Sequence, residues 1–277
     1  MKKAIVIIIV ILVLCACVDA PSNKSTSNTT TPKPTIAAPT YPIKVLRRIR
    51  HVQVGYSVEY GYDYRGLLTS EKEKGSEYYN DSISYEYDDA GKLISMTKKS
   101  LKIKDIHEYI YDENGFLVKE SVNHKISGSG SKNSSSYTIN YTNDSAGRLV
   151  KKSSVYKDGV SEVVYCYDDY GRVASETKDN VSAIYYEYDA EGRLISKQSY
   201  DNNQLQYTTT YKYNSNGSVE ITNGKDKTLV EYDSDGDILR NSKYNPDGTL
   251  TLLDEYQYWY IIDGDEYEVA YREALDN

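Results

Sequence analysis

The side chains able to do chemistry in this sequence are mostly carboxylates and phenols. There are 31 tyrosines against one Phe and one Trp, 41 acidic residues, and only three histidines, His51, His107 and His124. The histidines share no motif, and no nucleophile elbow, His-Glu-x-x-His, phosphate loop or Cys-x-x-Cys is present. Acid pairs occur throughout, and two carboxylates flanking a glycosidic bond would suffice for hydrolysis. The recurrent aspartates, however, already have work to do in turns. Asp233-Ser234-Asp235-Gly236-Asp237 sets oxygens at alternating positions, as a short calcium loop does, but lacks the distant Glu of an EF-hand. Turn chemistry accounts for Asp233 and Gly236 without a metal, and calcium there stays open. No catalytic, cofactor-binding or metal-binding residue is assigned, no cofactor is implied, and a non-enzyme is expected.

The aspartates belong to a repeat. Some version of Tyr-x-Tyr-Asp-x-x-Gly-x-Leu recurs nine times, with glycines at Gly66, Gly91, Gly115, Gly147, Gly171, Gly192, Gly217, Gly236 and Gly248. In Tyr85-Glu86-Tyr87-Asp88-Asp89-Ala90-Gly91-Lys92-Leu93-Ile94 the flanks are rich in strand formers. Asp88 suits the start of a type I turn, and Gly91 then takes a positive φ. Alternation across that hairpin sets Tyr87 opposite Leu93 and Tyr85 opposite Ser95. It puts Tyr85, Tyr87 and Leu93 on one face, and Glu86, Asp88, Lys92 and Ile94 on the other. The pairs Asp144–Arg148, Asp168–Arg172 and Asp189–Arg193 recur across their turns. So many phenols and so little Phe suit a thin layer with rings packed and hydroxyls wet.

"YEYDDAGKL", "YCYDDYGRV" and "YEYDAEGRL" resemble the YD repeat (RHS repeat) family, over roughly Tyr60 to Leu250. The resemblance implies hairpins added side by side into one long curling sheet, which large members close as a hollow shell around a toxin. No Asp-Pro-rich segment and no toxin-sized domain follow here, so encapsulation is not carried over. The expected fold is all-β: about eighteen antiparallel strands in one open, curled sheet. Residues 41–251 form the repeats. Residues 252–277 form a terminal hairpin and tail, with Trp259 capping the open edge and Asp263-Gly264-Asp265 as one more turn. The polar insert Ser127 to Ser136 reads as a loop.

The first 16 residues pair Met1-Lys2-Lys3 with a short apolar run, too short to span a bilayer, which needs about 20 residues. Leu14-Cys15-Ala16-Cys17 resembles the lipobox of bacterial lipoproteins. By that resemblance Cys17 is lipidated, and the protein is anchored to the outer face of the cytoplasmic membrane. Residues 17–40 carry Cys17 and a Ser/Thr/Pro-rich tether. Removing Lys2 and Lys3 takes the net charge from −8 to −10 (−8 − 2), which argues against nucleic acid as a partner. Lys44, Arg47, Arg48 and Arg50 are the basic exception, able to touch headgroups or an acidic polymer. With Cys17 acylated, Cys166 has no disulfide partner. The expected function is a non-catalytic scaffold or protein-interaction module. The alternatives are a carbohydrate- or cell-wall-binding module and, by family association, an immunity or accessory protein for a secreted toxin.

Overall fold

The computed structural model describes residues 43–75, 81–127, 134–262 and 265–268, with side chains through residue 259. Nineteen strands run in chain order: β1 (Ile43–His51), β2 (Tyr56–Tyr62), β3 (Leu68–Lys74), β4 (Ser82–Tyr87), β5 (Leu93–Lys99), β6 (Ile103–Tyr111), β7 (Leu117–Ile126), β8 (Ser135–Asn143), β9 (Leu149–Tyr156) and β10 (Gly159–Tyr167). They continue with β11 (Val173–Lys178), β12 (Ser182–Tyr188), β13 (Leu194–Asp201), β14 (Gln204–Tyr213), β15 (Val219–Asn223), β16 (Asp226–Tyr232), β17 (Ile238–Tyr244), β18 (Leu250–Ile262) and β19 (Asp265–Glu268). Ser135 and Ser136, read from sequence as loop, lie in β8.

All pairings are antiparallel, and each strand pairs with its chain neighbours. The expected open sheet is corrected in one respect: β1 pairs with β18 as well as β2, so eighteen strands close into a barrel. Closure removes the two edges that an open sheet would present to other chains. The short β19 adds to β18 beside that ring. Strands that are not hydrogen-bonded neighbours make almost no contact, so the wall is a single layer. Among the described residues, the buried apolar side chains are only Val45, Val122, Ile139, Val219 and Val230. Outward-pointing Glu86, Glu108, Glu187 and Lys212 are exposed; charges there suit water and not a lipid-facing band.

Each repeat folds as its turn residues dictate. Asp88 N–H donates to Lys92 O and Gly91 N–H to Asp88 O, both at 2.9 Å, while Asp88 Oδ1 accepts from Lys92 N–H at 2.8 Å. Gly91 sits at φ 73°, and all nine repeat glycines lie between 73° and 87°, where a side chain would be strained.

Beyond the turn lies a second irregularity. Tyr87 faces Leu93 as expected, but Glu86 faces Ser95 and Tyr85 faces Met96, leaving Ile94 as an extra, exposed residue. The same bulge occurs in the hairpins of Gly66, Gly115, Gly147, Gly171, Gly192, Gly236 and Gly248, and not in that of Gly217. A bulge sets two residues against one and so moves every later side chain to the other face. The residue three after the leucine, not two, therefore joins the tyrosine face.

Candidate functional site

The inner face carries two belts. The first is built from the second tyrosine of the repeats up to that of Gly217. Its hydroxyl donates to the carbonyl that opens the return strand of the preceding hairpin: Tyr87 to Leu68 O at 2.8 Å, Tyr111 to Leu93 O at 2.8 Å, Tyr167 to Leu149 O at 2.7 Å, Tyr188 to Val173 O at 2.9 Å and Tyr213 to Leu194 O at 3.1 Å. Where Asn143 replaces the tyrosine, its amide reaches Leu117 O at 3.1 Å. These hydroxyls are bonded and not wet, which explains Tyr over Phe: Phe would leave half-buried carbonyls unpaired. The turn arginines complete the belt. Arg172 holds Asp168 at 2.7 Å and its guanidinium lies 4.4 Å over Tyr188; Arg148 over Tyr167 and Arg193 over Tyr213, both 4.7 Å, repeat this. Each cation thus ties its own turn to the next hairpin.

The second belt exists because of the bulge. It brings Glu71, Glu120 and Glu176 beside the first tyrosines. Tyr85 donates to Glu71 at 2.5 Å, Tyr141 to Glu120 at 2.5 Å, and Tyr186 to Glu176. Burial, followed by these carboxylates, pushes the three phenols well above their ordinary range. Tyr60, Tyr62, Tyr109 and Tyr258 are pushed up to about 12, chiefly by burial. Straight alternation along the strand hides these glutamates.

The closing pair has the register of a repeat hairpin without its turn. Leu46 faces Tyr258 as Leu93 faces Tyr87, Arg47 is the bulged residue, and Ile49 faces Tyr256 as Met96 faces Tyr85. Tyr258 donates to Ile238 O at 3.1 Å and Tyr62 to Leu46 O at 2.7 Å, so the tyrosine ladder runs across the junction. β18 and β1 are the two halves of a split hairpin. The Gly248 turn joins β17 to β18 and belongs to the opposite rim.

Most of the basic run of β1 is spent on this junction. Lys44 Nζ lies 2.8 Å from Asp233, 2.8 Å from Asp235 and 2.7 Å from Asp237, and 5.2 Å over the Tyr258 ring. Among the described residues these aspartates are the one trio able to grip a metal, and the Lys44 ammonium occupies their centre. Burial alone would lower the lysine and raise Asp233; mutual pairing wins, so Lys44 is raised and Asp233 lowered. Arg47 bonds Tyr60 O and lies 4.6 Å over Trp259. Arg48 pairs with Glu59 at 2.5 Å, and Arg50 with Glu255 at 3.3 Å. His51 Nδ1 sits 2.6 Å from Asp254. Lys44, Arg47 and Arg50 are therefore seam residues, Arg48 pairs back to β2, and Trp259 packs within the seam instead of capping an edge.

The two remaining histidines line a pocket of about 570 Å³ that sequence did not reveal. His107 Nδ1 is 2.5 Å from Glu120 and His124 Nδ1 is 2.5 Å from Asp105, with the rings of Tyr137 and Tyr156 tilted against each other at 4.9 Å beside them. The histidines stand 17 residues apart in sequence, on neighbouring strands; only register unites them. Cys166 is a free thiol on β10. Cys17 lies outside the described residues, as do the leader, the tether and the Asp263-Gly264 turn.

Among known families, the profile described as the Teneurin YD-shell matches residues 41–208. No curated protein matches the sequence. Structural likeness is faint. A crystal structure of a TcdB2–TccC3–Cdc42 complex aligns at 11% identity with a TM-score of 0.31, over 72% of this chain and 14% of that one. A porin-like protein from Bacteroides uniformis aligns at 11% identity and 0.40, over 79% and 98%. One from Bacteroides vulgatus aligns at 10% identity and 0.29, over 76% and 97%. This chain thus spans about one seventh of the first.

Proposed function

The chain belongs to the Teneurin YD-shell family, and on that premise we propose that it is a non-catalytic scaffold or protein-interaction module, tethered through Cys17 to the outer face of a bacterial cytoplasmic membrane. One observation carries the non-catalytic reading: the groups abundant enough for chemistry are already engaged in the wall. Turn aspartates accept backbone amides, second tyrosines donate to carbonyls, and Glu71, Glu120 and Glu176 accept from first tyrosines. The outward face is left for recognition, and its β12–β14 stretch exposes Tyr185 and Leu205, with Tyr200 edge-on to Tyr185 at 5.5 Å. Such an aromatic and aliphatic patch, rimmed by polar side chains, suits a protein partner. The anchor follows from the charged start, the short apolar run and the Leu-Cys-Ala-Cys ending.

Two measurements test this. Cys17→Ser should release the protein from the membrane fraction; unchanged partition and mass would remove the anchor from the reading. Crosslinking on cells, followed by retrieval, should recover a defined protein whose yield falls with Tyr185→Glu and Leu205→Glu. Retention on purified cell-wall polymer, undiminished by those changes, would favour wall binding instead.

A further inference from the structure

His107 and His124 repeat one device. Each ring places Nδ1 at 2.5 Å from a carboxylate, Glu120 and Asp105 respectively. Asp105 faces His124 across β6 and β7, and His107 stands two residues beyond Asp105 on the same face. The two imidazoles are therefore diagonal cross-strand neighbours, a span of about 7–8 Å between Cα atoms that long side chains close. Both line the same pocket, with Ser135, Tyr137 and Asp158. Tyr141 donates to the other oxygen of Glu120, which fixes that carboxylate.

A carboxylate on Nδ1 selects the tautomer that carries its proton there and leaves the Nε2 lone pair for a ligand. It also fixes the orientation of the ring, which is why metal-binding histidines keep such partners. The wall itself does not call for imidazole. The place of His107, two residues before the first tyrosine, holds Val58, Ile83, Ile139, Val163 and Ile184 in other hairpins. We propose that His107 and His124 bind a divalent zinc-class cation through their Nε2 atoms, with Asp105 and Glu120 as positioning residues. Imidazole donors suit zinc, and two protein nitrogens leave coordination positions for water or for a donor brought by a partner. The seam supplies an internal control. His51 has the same pairing with Asp254, but its ring packs on Tyr56 at 4.4 Å and no second histidine lies beside it.

The test is calorimetric titration of the untagged domain, residues 41–277, with zinc chloride, using circular dichroism to verify that each variant folds. The expected result is one equivalent bound, reversed by chelator. His124→Gln should abolish binding, and Asp105→Asn should weaken it about 10–100-fold, as loss of such a partner does elsewhere. His51→Gln and Asp235→Asn should leave it unchanged. No binding by the unaltered domain, or binding that survives His124→Gln, overturns the proposal. So does equal loss on His51→Gln. If His107→Gln fails to fold, His124→Gln decides alone, because its ring is the more exposed of the two.

Discussion

The hairpin at Gly171 and the split hairpin at the seam have the same cross-section and different means of holding it. In the first, Asp168 starts the turn, Arg172 grips it at 2.7 Å, and the guanidinium covers Tyr188. In the second no turn links the strands, and Lys44 from the start of β1 inserts into the Asp233 turn while covering Tyr258. The turn at Gly236 has Asp237 where Gly171 is followed by Arg172, so it lacks its own cation and receives one from the other end of the chain. The comparison teaches that tyrosine ladder and bulge define a repeat unit, and that the connecting turn is replaceable by charge.

Removing β1 should break the comparison most severely. A chain beginning at Gln53 exposes the edges of β2 and β18 and should lose its folded monomer, seen as aggregation in size-exclusion chromatography. A peptide of residues 41–52 should restore it. A stable monomer without the peptide would mean that closure contributes little. Next comes the aromatic ladder itself: Tyr188→Ala and Tyr258→Ala should each cost about 2–4 kcal/mol in urea melts, since both rings carry a cation and a hydroxyl bond. A much smaller loss at Tyr258 would show that the split unit is the weaker copy.

Lys44→Ala should cost about 1–3 kcal/mol and leave three carboxylates facing one another. Calcium should then recover stability in the variant and not in the parent, because the alanine vacates the centre of an oxygen cluster. The seam also has a pH signature. Asp233 is lowered, so its contribution is complete above the unfolded carboxylate range and lost as pH falls through the lower folded value. Lys44 is raised, so its contribution is complete below the ordinary lysine range and is lost as pH rises above that range through the higher folded value. At the alkaline end the phenols decide. Tyr60, Tyr62, Tyr109 and Tyr258 are raised to about 12, so stability should decline as pH climbs from about 10 toward 12, followed by ultraviolet titration. The smallest effect is expected at Glu187→Ala, below about 0.5 kcal/mol, since that side chain points outward and is exposed. A loss equal to that of Tyr188→Ala would mean that the faces have been assigned the wrong way round.

The sequence by itself determined the hairpins, their turn geometry, the tyrosine face and a count of about eighteen strands. All of these are written within some ten residues, where Asp88 and Gly91 leave the backbone little choice. Only the tertiary structure decided the rest. The bulge at Ile94 and its counterparts is a pairing irregularity with no residue signature, yet it determines whether Glu71, Glu120 and Glu176 reach the tyrosines. Asp105, His107 and His124 come to line one pocket, and Glu120 to hold His107, only through strand register. Closure rests on contacts such as Lys44 to Asp233 and Arg50 to Glu255, 189 and 205 residues apart. Local turn chemistry repeats and can be read along the chain. The meeting of first and last strands depends on twist accumulated over eighteen strands and on the match between a basic β1 and the acids it reaches.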